Sequence, residues 1–187
     1  MTAVLGGVAL VGGTGLLEAA ERVLPAVRTR ITHQGVGPFT PEDVALLDEV
    51  AETILPETET PGAKAAHTGA FMALMVTDSY YDRDQAVFRE GMEKIGAAGF
   101  MAMTPAQRLA HLEQLDRERK AYRDARRRGD DDDTPEHYFH MMKELAMLGY
   151  FTSEIGCKQA LRYVEAPGRY DPCVPYTPGE RAWASHA

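Results

Sequence analysis

The residues best able to do chemistry lie in the last third of the chain. His137 and His140 are three apart and Glu136 stands four before His140, so on a helix two imidazoles and a carboxylate could share a face. A metal site needs a third and usually a fourth ligand, and the histidines at 33, 67, 111 and 186 show no partner spacing. Surface or half-buried histidines are therefore the simpler expectation, and a stand-alone helical metal-binding protein or enzyme using His137, His140 and Glu136 is the alternative. Met141, Met142 and Met147 read as core filler at helical spacing rather than as soft ligands. Cys157 and Cys173 both fall in the C-terminal segment. They leave three pairings open: an internal disulfide, a link to a cysteine of another chain, or two thiols.

Other motifs are incomplete. VALVGGTGLLEAAERV looks like a strand, a glycine turn and a helix start, but Gly13-x-Gly15 is followed by Glu18 where a dinucleotide fingerprint needs its third glycine. The run RERKAYRDARRRGDDDD could pass for a basic arm, yet Asp130 to Asp133 would repel a phosphate backbone. Those aspartates also lack the alternating spacing and central glycine of a calcium loop. The better reading is a solvated hairpin tip, with Arg126 to Arg128 closing one helix and the aspartates preceding the next. There is no nucleophile elbow, phosphate loop or Cys-x-x-Cys. No catalytic residue or metal ligand set is assigned, and no cofactor is expected in this chain.

The elements that must position these residues are helical. Thr-Pro stands just before a periodic apolar stretch at Thr40-Pro41, Thr104-Pro105 and Thr134-Pro135. Threonine suits an N-cap and proline the first helical position, and Asp43 and Gln107 add a capping-box partner. The spacing predicts helices over about 41–55 (Val44, Leu47, Val50, Ile54), up to about 78 (Phe71, Leu74, Met75) and over 82–96 (Phe88, Met92, Ile95). Two more are expected over 105–127 (Leu109, Leu112, Leu115) and 135–150 (Tyr138, Met141, Met142, Leu145, Leu148), then a short one through about Arg162. The fold class is all-α: a single bundle of about five to six helices with an irregular C-terminal tail.

At 187 residues and 44% apolar content the chain can bury one ordinary core. Its formal net charge of −8 gives it no electrostatic reason to condense on nucleic acid or an anionic bilayer. Residues 1–20 form an apolar signal or anchor-like segment, 21–38 a linker, 39–163 the helical bundle domain and 164–187 a Pro/Tyr-rich tail. The tail lacks periodicity and must lie on something, either its own bundle or a second protein. Tyr150, Phe151, Tyr170, Tyr176 and Trp183, with Thr152 and Glu154 beside them, are the expected partner-binding residues.

FTPEDVALLDEVAETILPETETPGA, LGYFTSEIGCKQALRY and PGRYDPCVP together resemble the gluconate 2-dehydrogenase subunit 3 family, over roughly residues 38–176. The resemblance implies a small, non-catalytic helical subunit. Its partner would be a large FAD-dependent oxidoreductase of the glucose-methanol-choline type acting on sugars, sugar acids or polyols, with FAD held in that partner and a cytochrome c as electron acceptor. It further implies a periplasmic complex, membrane association through residues 1–20 or through the complex, and a role in stabilising and exporting the catalytic chain. Residues 1–20 resemble the apolar stretch of a twin-arginine signal without its Arg-Arg portion, and the RRRGDDDD hairpin looks longer than the family's.

Overall fold

The computed structural model describes residues 36–129, 134–166, 168 and 173–184. Among them are five α-helices and no strand: α1 (Pro41–Ile54), α2 (Thr68–Ser79), α3 (Asp82–Ala97), α4 (Pro105–Gly129) and α5 (Tyr138–Phe151). A 3-10 turn at Phe100–Ala102 precedes α4, and a π-helical turn at Gly156–Ala160 follows α5. The all-α bundle expected from the apolar periodicity is thus the observed one.

Two helix starts follow from local chemistry. The Thr40 hydroxyl accepts from the Asp43 N–H at 3.2 Å while the Asp43 carboxylate accepts from the Thr40 N–H at 2.9 Å, a complete capping box. Thr104 and Gln107 repeat it at α4, with the Thr104 N–H donating to Gln107 Oε1 at 2.9 Å. The third expected start is displaced. Thr134 and Pro135 lie outside the helix, and His137 is the N-cap of α5, its Nδ1 accepting from the Phe139 N–H at 3.2 Å. Tertiary contacts explain the shift, because the Tyr122 hydroxyl donates to the Pro135 carbonyl at 2.9 Å and Arg126 pairs with Glu136. These hold residues 135–136 extended along α4, so the backbone turns helical later.

α5 is the central helix, touching each of the other four, while α1 packs chiefly on α2. Phe88, Phe100, Phe139, Leu47, Met72, Ile95 and Met142 are fully buried, each worth roughly 1.5–3 kcal/mol of burial. Close crossings are set by glycine. A Cβ on Gly91 of α3 would lie 2.3 Å from the Tyr138 ring of α5, and one on Gly69 of α2 would lie 2.6 Å from the Asp48 N and Val44 O of α1. Periodicity left Leu74, Leu109 and Leu148 exposed, and on α2 the buried face is Met72, Ala73 and Val76, with the expected Phe71 and Met75 only half-buried. A helical stripe is wider than the contact a single neighbour makes, so one flank of α2, α4 and α5 remains in solvent.

Among the described residues no helix is long and apolar enough to cross a membrane. The apolar segment 1–20, Asp130 to Asp133 and Tyr170 lie outside the described residues.

Candidate functional site

The two ends of the chain's most distinctive sequence meet in space. After α1, Glu52 organises the loop that contains ETETPGA: its carboxylate accepts from the Glu57 N–H at 2.9 Å and the Lys64 N–H at 2.8 Å. Gly62 lies against that carboxylate, 2.3 Å from where a Cβ would sit, which explains a glycine there. On the far side of this loop the Tyr150 hydroxyl donates to the Pro61 carbonyl at 2.8 Å. Tyr150 therefore closes the junction between the 55–66 loop and the end of α5.

The residues after Tyr150 continue the same junction. The Ser153 hydroxyl donates to the Tyr150 carbonyl at 2.6 Å and accepts from the Gly156 N–H at 3.0 Å, so Ser153 supplies the cap for the short turn that follows. Gly156 is packed so closely on the Tyr150 carbonyl that any Cβ would overlap it. Gly149 is likewise filled by the Phe71 ring. The glycines of LGYFTSEIG are demanded by close packing.

Of the expected partner-binding residues, Tyr150 is the one that the bundle itself takes up. Tyr150 is only 5% exposed and its hydroxyl is satisfied within the chain, so it packs as a core residue. Phe151 is half-buried, its ring edge-on to Tyr150 with centroids 5.1 Å apart. Thr152 and Glu154 are exposed but locally engaged, Thr152 with the Leu148 carbonyl at 2.7 Å and Glu154 with Lys158 at 2.9 Å. Tyr176 is 71% exposed and Trp183 52% exposed, so of the expected contact aromatics that are described, these two are the accessible ones.

The tail is held on the bundle by a clasp that the sequence reading missed. The Arg162 N–H donates to the Ala182 carbonyl at 2.9 Å and the Ala184 N–H to the Arg162 carbonyl at 2.8 Å, a lone parallel bridge. Arg162 Nη1 pairs with Glu180 at 2.7 Å, and the guanidinium lies 4.4 Å from the centroid of the Trp183 ring. Arg181 donates to the Gln159 carbonyl at 2.6 Å. The turn that brings Glu180 back is Thr177-Pro178-Gly179, with Gly179 at φ +86° and the Glu180 N–H on the Thr177 carbonyl at 3.0 Å. That Pro-Gly pair was the available signal; its distant docking partner, Arg162, had none.

The histidine cluster is spent locally. His137 caps α5, its ring stacked on Tyr138 at 4.5 Å and edge-on to Tyr122 at 5.6 Å, and burial lowers its pKa. Glu136 pairs with Arg126, and His140 Nε2 stands 3.4 Å from Glu144 on the next turn. Among the described residues no group of three or more His, Cys, Asp or Glu is gathered to hold a metal.

Two carboxylates are perturbed, in opposite directions. Asp48 accepts from the Gly69 N–H at 2.7 Å, capping α2 from α1, and burial raises its pKa against that bond and against nearby His67 and Lys64. Asp116 is also penalised by burial, but hydrogen bonds from Lys143 and Arg119 outweigh it and hold its pKa down. Cys157 is half-buried, its Sγ 3.2 Å from the Phe151 carbonyl, and Cys173 is exposed. The sites that carry perturbed groups thus serve helix junctions.

A family model described as Gluconate 2-dehydrogenase subunit 3 matches residues 41–168. Neither a curated protein nor a solved structure matches the chain.

Proposed function

Because the chain belongs to the gluconate 2-dehydrogenase subunit 3 family, we propose that it is the accessory subunit of a dehydrogenase complex whose catalysis resides in a larger partner chain. The partner is an FAD-dependent oxidoreductase of the glucose-methanol-choline type that oxidises a sugar, sugar acid or polyol, and a cytochrome c subunit takes the electrons. The small subunit binds and stabilises that chain and accompanies its export to the periplasm, with residues 1–20 as the apolar part of the export signal.

The observation that carries this reading is the family match across the helical bundle. The side-chain chemistry agrees with it. The Glu136, His137 and His140 cluster, the rival site, is engaged locally by a helix cap, the Arg126–Glu136 ion pair and the contact of His140 with Glu144. We assign the flavin to that partner, as membership of the family implies.

The test is co-expression of the tagged full-length chain with candidate large flavoproteins of its source. The expected outcome is a complex with flavin absorbance that reduces a dye with a sugar or sugar acid, and a large subunit recovered in poor yield when this chain is omitted. Turnover by the small chain alone, or a stable and active large subunit without it, would reject the proposal.

A further inference from the structure

We draw no further inference here: the strongest candidate, the cleft between α1, α4 and α5 lined by Ile54, Leu109, Leu112 and Phe139, sets two carboxylates against two cations and so has no net charge to select a ligand, and nothing in the structure shows what covers it.

Discussion

The junction of α1 with α2 and the clasped tail are both held by polar contacts, yet they are built to different rules. At the junction, Asp48 caps Gly69 across two helices whose backbones approach closely, with Leu47, Met72, Ala73 and Val76 fully buried around it. In the tail, Arg162, Glu180 and Arg181 gather a segment whose large side chains stay in solvent. The first region stabilises the fold and tolerates no change of shape. The second gathers a segment whose large side chains stay in solvent, so damage to it is expected to leave melting nearly unchanged.

Four substitutions press on that contrast. The largest effect is expected from Phe88→Ala, which empties a fully buried ring site that Phe39 meets edge-on at 6.3 Å; it should cost about 3–5 kcal/mol in urea unfolding. Gly69→Ala follows, since its methyl would press on Asp48 and the Val44 carbonyl, main-chain atoms with no freedom to yield; roughly 1–3 kcal/mol is expected by the same measurement.

Asp48→Asn sharpens the comparison through pH. An acid whose folded pKa is raised contributes stability that is full below its unfolded pKa and is lost as pH rises through the folded value. The asparagine oxygen keeps the bond to the Gly69 N–H without burying a charge. Melting curves of wild type and variant should therefore agree in acid, and the variant should gain on wild type as pH rises above the ordinary carboxylate range. Equal gains at all pH values would show that Asp48 acts only by shape.

The smallest effect on folding is expected from Arg162→Ala. Its partners belong to the tail, so thermal stability of the bundle should change by no more than about 0.5 kcal/mol. A loss comparable to that of Gly69→Ala would mean that tail and bundle melt as one unit, and the contrast between them would dissolve.

The same contrast explains what could be read ahead of the structure. The Thr40 and Thr104 starts were legible because a capping box is made by residues three apart. The Thr134-Pro135 start was not, since Tyr122 and Arg126, a helix away in sequence, hold that segment extended. Tyr150 was read as a docking residue because a tyrosine near a chain end looks accessible; its carbonyl partner, Pro61, lies 89 residues earlier. Leu74, Leu109 and Leu148 had the right spacing for a core and lacked a neighbour on that flank.

By itself the sequence determined the helices, most of their boundaries, most of the buried stripe on every helix but α2 and the family to which the chain belongs, because propensity, capping and periodicity act within a few residues along the chain. Tertiary structure alone decided which apolar side chains found a partner, that Tyr150 faces inward, and that Arg162 meets Trp183. Those outcomes depend on distances between residues far apart in sequence, which are fixed only when the helices cross.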